Sequence, residues 1–401
     1  MTKDSPIRNR YDGVRHLIKV KPLIMFHVYI LLGFIFLSFR LIYPLEIHRH
    51  LKWLLAALLL VISQYHLLLI TFFGNMFSPE LPRWLVMFFG WAFCSFVLMI
   101  VMTLVKDFFL LTLFLMRKPI HLMAIHHNYL TLVIALVSIL IAGFGVNRAT
   151  QVPPVKQVNI YLDHWPKQLN GLKVVQLTDM HISALFPRDW VTEVVKKVND
   201  LSPDLILITG DFIDGTVKAR SDDIEPLKRL VSKLGIYGVL GNHEYYFDGM
   251  AWANQLAKLG ITMLNNRHKT VMVNNSSLVI AGVTDESAQQ YQLPAPDIAA
   301  AVAGIKPSVP IILLKHQPID AALADKLGGV SLQLSGHTHG GMIVGLNRIA
   351  KFANQGFISG LYQVGDMKLY VSNGTALWSG FPNRLGVPPE ITEFTLKGKQ
   401  Q

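Results

Sequence analysis

Apolar residues fall into two regimes along this chain. Up to about residue 146 they form long, nearly unbroken runs; beyond residue 172 they come as short runs separated by segments of helical period. A bilayer core of about 30 Å takes roughly 20 apolar residues in a helix. Four stretches meet or approach that length: Leu23 to Tyr43, Trp53 to Phe73, Trp84 to Val105 and Tyr129 to Val146. They predict four membrane spans over a membrane region of residues 1–146. Lys106 and Asp107 close the third run, so the apolar segment Phe108 to Met116, too short to cross again, is expected as an interfacial helix.

The first run is long, has no small-residue cleavage site and is followed by further apolar runs, which favours a retained anchor over a cleaved signal. Lys3, Arg8, Arg10, Arg15, Lys19 and Lys21 precede it against Asp4 and Asp12. By the positive-inside rule the N-terminus is cytoplasmic, and four spans then return the polar half to the cytoplasmic side of an inner or plasma membrane. The basic residues Lys106, Arg117 and Lys118 pull the other way. His27, Gln64 and His66, inside apolar runs, are expected to hydrogen-bond between helices or sit at the interface rather than mark an ion path. His121, His126 and His127 lie without paired carboxylates or cysteines and read as solvated loop residues.

From Val174 onward the short runs Val174 to Thr178, Leu205 to Thr209, Gly238 to Leu240, Ile311 to Leu314 and Ser331 to Leu334 read as buried strands. Between them, Asp189 to Val198 places Trp190, Val191, Val194, Val195 and Val198 on one helical face, and Gly249 to Leu259 ends in a Gly260 cap. Asn274 and Asn275, between Val271 to Val273 and Leu278 to Val283, suit a hairpin turn. The expected architecture is an α/β sandwich of two mixed sheets with outer helices over residues 172–401. It follows a linker of residues 147–171 that carries Pro153, Pro154, Pro166 and a first strand Val158 to Leu162.

Composition sharpens this division. The chain has 401 residues, 51% of them hydrophobic, and a formal net charge of +11. Residues 1–150 hold 14 Lys and Arg against 5 Asp and Glu, and the remainder holds 23 against 21. A nucleic-acid enzyme keeps its positive charge near the phosphates it must neutralise; here the excess sits with the membrane region, so no nucleic-acid partner is expected. The single cysteine, Cys94, lies in an apolar run, so no intrachain disulfide is possible.

Polar residues follow each buried strand. Asp179 and His181 come after the first, Gly210 and Asp211 after the second, Gly241, Asn242 and His243 after the third. His316 follows the fourth, and Gly336, His337, Thr338 and His339 follow the fifth. In α/β sheets ligands gather at the carboxyl ends of strands, so these groups can converge. Buried carboxylates crowded with imidazoles need compensation that a divalent cation provides. Asp179 and Asp211 as plain strand-end caps would leave the histidines unexplained.

The ordered set D-x-H, G-D, G-N-H-[DE], a separate His and G-H-x-H resembles the calcineurin-like metallophosphoesterase superfamily over about residues 173–396. The segments Leu314 to Pro318, Gly336 to Gly341 and Val387 to Ile391 are similar to its membrane-associated branch of UDP-2,3-diacylglucosamine pyrophosphohydrolase-type enzymes. The resemblance implies two divalent ions, Mn, Fe or Zn. Asp179, His181 and His339 would hold one, Asn242, His316 and His337 the other, and Asp211 would bridge them. It gives His243 the role of general acid or transition-state stabiliser. Met342 stands where the family often has Gln. Arg384 is a candidate phosphate-binding residue, with a solvated surface arginine as the alternative; Glu244 and Asp285 are candidates to hydrogen-bond the ligating imidazoles, with surface or turn roles as the alternative for both.

The implied activity is membrane-bound hydrolysis of a phosphodiester or pyrophosphate, with a lipid-linked phosphoester as the substrate suggested by the bilayer. Two other readings remain open at this point: a phosphomonoesterase or protein phosphatase, and a membrane sensor that uses the same fold without turnover.

Overall fold

The computed structural model describes residues 24–117, 127–327 and 329–399. It divides into two compact units, one formed by the chain up to Pro79 with Phe88–Phe144, the other by Glu80–Met87 with Gly145 to the C-terminus.

The first unit is helical: α1 (Ile24–Ile42), α2 (Arg49–Ser63), α3 (Tyr65–Phe73), α4 (Arg83–Leu115), whose first turn belongs to the other unit, and most of α5 (His127–Thr150). Three of these, α1, α4 and α5, are long and apolar enough to cross a membrane, and the count reaches four if α2 and α3, bent by 56°, form one broken span. Outward-facing Phe72, Phe108 and Leu140 are largely exposed, as lipid-facing residues are. The bend falls at Gln64, inside the expected second span.

The expected break at Lys106 and Asp107 is absent. Helix α4 runs through both, and Phe108 to Met116 lies along its end rather than in a separate interfacial helix. The reason is that Asp107 accepts two hydrogen bonds from Arg40, at 2.8 and 2.7 Å, which removes the cost of carrying the charge within an apolar helix. His66 is buried with its ring edge-on to Phe26 and Phe93. His121, His126 and the basic residues before α1 lie outside the described residues; His127 opens α5, with its Nε2 3.2 Å from the Thr131 hydroxyl.

The second unit is a two-sheet sandwich. Its strands are β1 (Val155–Leu162), β2 (Leu172–Leu177), β3 (Leu205–Thr209), β4 (Ile236–Val239), β5 (Thr262–Met263), β6 (Arg267–Val273), β7 (Ser276–Gly282), β8 (Ile311–Leu314), β9 (Val330–Ser335), β10 (Gly360–Val364), β11 (Met367–Val371) and β12 (Ile391–Gly398). One sheet has the order β1-β12-β2-β3-β4-β5, the other β10-β11-β9-β8-β7-β6. Both are mixed: β2, β3, β4 and β5 run parallel, as do β7, β8, β9 and β11, while β12 is antiparallel to β2 and the β6–β7 and β10–β11 pairs are antiparallel. Within residues 147–171, α5 continues to Thr150 and the entry strand β1 begins at Val155.

Continuous apolar runs explain the central strands. All five residues of β3 and all four of β8 are buried, because each lies covered on both faces. Between the sheets pack Val174, Leu207, Val239, Ile280, Leu314, Leu334 and Phe394. The outer face of the first sheet is covered by α6 (Arg188–Asp200), α7 (Val217–Ile224), α8 (Asn242–Tyr246) and α9 (Gly249–Lys258). The buried face of α6 is Trp190, Val191, Val194, Val195 and Val198, the stripe its 3.6-residue period predicts. On the second sheet lie α10 (Ile298–Val302) and α11 (Ala321–Lys326), and α12 (Leu346–Ala353) follows the last of the site loops.

Candidate metal centre

The five polar clusters emerge from the carboxyl ends of β2, β3 and β4 in one sheet and of β8 and β9 in the other, so the site spans the edge shared by both sheets. Asp179, His181, Asp211, His337 and His339 all have positive φ, between 42° and 68°. Non-glycine residues pay of order 1–3 kcal/mol for such a backbone and keep it where the surroundings enforce it. The chain turns sharply just past each strand end, which aims these side chains inward. Gly241 and Gly336 permit the crowding: a Cβ at the first would strike the Asp211 carboxylate, and at the second the carboxylate of Asp179 and the hydroxyl of Thr178.

Three groups of side chains bring ligand atoms within 4.8 Å of one another: Asp179, His181 and His339; His181, Asp211 and His243; and Asp211, His316 and His337. The amide oxygen of Asn242 joins the last, 3.2 Å from His316 Nε2 and 3.0 Å from His337 Nδ1. Its orientation is held by Nδ2, which donates to the Tyr246 hydroxyl at 2.9 Å.

The donor set suits a cation. His316 Nδ1 lies 2.7 Å from the carbonyl of Thr209, a contact that only a protonated Nδ1 can make. In the neutral ring Nε2 is then an acceptor, and it faces the Asn242 amide oxygen at 3.2 Å and Asp211 Oδ2 at 3.2 Å. Three acceptors thus converge. In the other group, His181 Nε2 and His339 Nε2 face each other at 3.3 Å, and His339 Nε2 lies 3.5 Å from Asp179 Oδ1. Buried polar atoms left this way are costly unless a positive centre lies between them. Nitrogen and carboxylate donors of this kind suit a divalent transition metal.

Electrostatics agree. Without an ion a proton serves in its place: burial alone would depress the His316 pKa, yet Asp211 beside it lifts the ring well above the ordinary imidazole value, so that Nε2 then donates toward Asp211. Burial, with His181 and Arg384 nearby, holds His339 well below that value. The two histidines, from different ligand groups, are therefore driven in opposite directions, His316 by Asp211 and His339 by burial and neighbouring cations, as at many functional sites.

Two supporting residues were not singled out from the sequence. Asp214 is fully buried, and its Oδ1 accepts from both His181 Nδ1 at 3.2 Å and His243 Nδ1 at 2.5 Å. One carboxylate thereby orients two imidazoles, the arrangement that fixes tautomers in metal sites. The available signal was its spacing, three residues beyond Asp211. Tyr246, which orients Asn242, lies one helical turn beyond it in α8.

For Glu244 and Asp285 the structure selects the turn role, and for Arg384 it gives neither of the two expected roles. Glu244 does not reach the imidazoles; its carboxylate accepts the backbone N–H groups of Gly241, Asp211 and Ile213 at 2.8, 3.0 and 3.1 Å, locking the β3 and β4 loops together. Burial and Asp211 raise its pKa to about 8. Asp285 holds Ser287 N–H and the Gln317 amide rather than a histidine ring. Arg384 is neither solvated nor turned to a phosphate site: it is 1% exposed, and its guanidinium donates to the carbonyls of His339, Asn373 and Ala376 at 3.1, 2.7 and 2.9 Å. The loops it ties together carry His339 and follow β11.

Residues 172–341 match the family model described as calcineurin-like phosphoesterase. An uncharacterised metallophosphoesterase of Campylobacter jejuni is 35% identical over 325 residues, covering 79% of this chain and 82% of that protein. The chain belongs to the calcineurin-like phosphoesterase family. A transmembrane protein with metallophosphoesterase domain from Danio rerio is 35% identical over 275 residues, 67% of this chain and 62% of that protein. The match therefore spans under two thirds of that relative's length. Among solved structures, a 5'-nucleotidase precursor of Thermus thermophilus gives a TM-score of 0.34 at 16% identity over 51% of this chain and 49% of that one, and the assignment does not lean on it. These matches establish the family and not the narrower pyrophosphohydrolase branch. The family works with two divalent metals, and the chain's clustered aspartates and histidines are able to hold them.

Proposed function

We propose that this chain is a membrane-bound hydrolase of a phosphodiester or pyrophosphate bond, in a lipid-linked substrate, with its catalytic unit on the cytoplasmic side. The observation that carries the reading is that one oxygen of Asp211, Oδ2, lies 3.2 Å from His316 Nε2 and 3.8 Å from His181 Nε2, a histidine of each ligand set, where a carboxylate shared by two ions would lie. Asp179, His181 and His339 would hold one ion, and Asn242, His316 and His337 the other. Two divalent ions held there supply Lewis acidity toward a phosphoryl oxygen and make water nucleophilic at neutral pH, so no protein nucleophile is required.

The chain's own residues do the rest. Asp214 fixes the His181 and His243 rings by their Nδ1 atoms, so any proton exchange between His243 and a leaving oxygen falls to Nε2. In the metal-free protein burial lowers the His243 pKa, while Asp211 and Asp214 raise it, to about 9. The backbone N–H of His243 donates to Asp211 Oδ1 at 2.9 Å, leaving the other carboxylate oxygen, Oδ2, toward His316.

The test is hydrolysis of a chromogenic phosphodiester and of the matching monoester by full-length protein supplied with Mn²⁺ or Zn²⁺. Diester cleavage abolished by Asp211→Ala and by His337→Ala supports the proposal. Undiminished turnover in those variants contradicts it, and preference for the monoester replaces it with a phosphomonoesterase.

A further inference from the structure

Helix α12 starts seven positions after His339 and buries neither of its sides. Leu346, Ile349 and Phe352 fall on one side of it, and Arg348 and Lys351 on the other. A surface helix of a globular protein buries its apolar stripe, yet no residue of α12 is buried: Ile349 is 70% and Phe352 90% exposed, and Val344 just before the helix is 64% exposed. Contact with the body of the domain comes instead near Asn347, whose backbone and Cβ crowd Gly341. A short helix with an outward apolar face and basic flanks is the form that lies in a membrane interface, apolar residues among the acyl chains and cations toward anionic headgroups.

We infer that α12 is a membrane-interface helix whose Val344, Leu346, Ile349 and Phe352 enter the bilayer. The occupant is a lipid surface because this chain also carries helices of membrane-crossing length and composition, so a bilayer is always at high effective concentration, and because Arg348 and Lys351 complement anionic headgroups. Docking would hold the loop bearing His337 and His339 at the membrane surface. That consequence rests on the hydrolase reading above, and it narrows the substrate class to phosphoesters presented in the headgroup layer.

The test uses full-length protein in vesicles of phosphatidylcholine and phosphatidylglycerol. An environment-sensitive label is attached singly at Ile349→Cys, Phe352→Cys or Lys351→Cys in a Cys94→Ala background. The inference predicts blue-shifted emission, quenched by brominated acyl chains, at positions 349 and 352 and neither effect at 351. Water-like emission at all three positions would overturn it, and shielding without bromolipid quenching would overturn it in favour of a second copy or a protein partner. In parallel, Ile349→Ser with Phe352→Ser is expected to lower hydrolysis of a vesicle-embedded phosphoester several-fold while sparing a water-soluble diester; equal loss on both overturns the substrate consequence. Bilayer quenching in wild-type-like protein that hydrolyses neither substrate would instead count against the hydrolase reading alone.

Discussion

Asp214 shows how much a site depends on a residue that holds no ligand position. With two Nδ1 atoms on one of its oxygens, it sets the tautomer of one candidate ligand and of the candidate acid together. Replacing it by Asn leaves one acceptor and adds a donor facing an imidazole. Asp214→Asn is therefore expected to cost 10–100-fold in metal affinity or in kcat, read by metal titration and initial rates, with the thermal transition little moved. Arg384 predicts the opposite signature. Removing a buried cation that serves three carbonyls leaves acceptors unsatisfied, each worth about 1–3 kcal/mol. Arg384→Ala should lower the stability of the catalytic unit by about 3 kcal/mol or more in thermal unfolding, whether or not metal is present. The ligand candidates were legible because Asp, Asn and His at successive strand ends have little other use. Asp214 and Tyr246 were not, because beyond a strand end no period says where a side chain points. Arg384 was misplaced for the same reason: its burial is decided by loops that meet only in the folded chain.

Elements were readable in proportion to how local their cause is. Strands β3 and β8, buried on both faces, show as apolar runs, and α6 shows by its period. Strand β12 was missed because its partners are β1 and β2, more than 200 residues away in sequence, and its pattern Ile391 to Gly398 carries no turn signal to mark it. Helix α4 was cut short because its charge pair is compensated by Arg40, from another helix. The β6–β7 hairpin was visible in its turn: Asn274 and Asn275 have φ of 48° and 64°, the left-handed pair of a type I′ turn. Asn275→Gly is expected to raise stability by about 0.5 kcal/mol and Asn275→Val to lower it by about 1 kcal/mol or more, measured as shifts of the thermal transition with unchanged activity.

For the whole molecule, the division of charge and hydropathy between the two halves was plain from composition, and the sandwich class from the pattern of short apolar runs and helical periods. What composition does not carry is α12, whose residues look like an ordinary amphipathic helix until the fold shows which face is left outward. The central claim is a pair of ions at an edge shared by two sheets, with Asp211 between them. It is tested most directly by adding Mn²⁺ or Zn²⁺ to chelator-stripped full-length protein while following phosphodiester hydrolysis. The account predicts no turnover in the stripped protein and a rate that saturates at two equivalents per chain. Saturation at one equivalent, or turnover without metal, would contradict it.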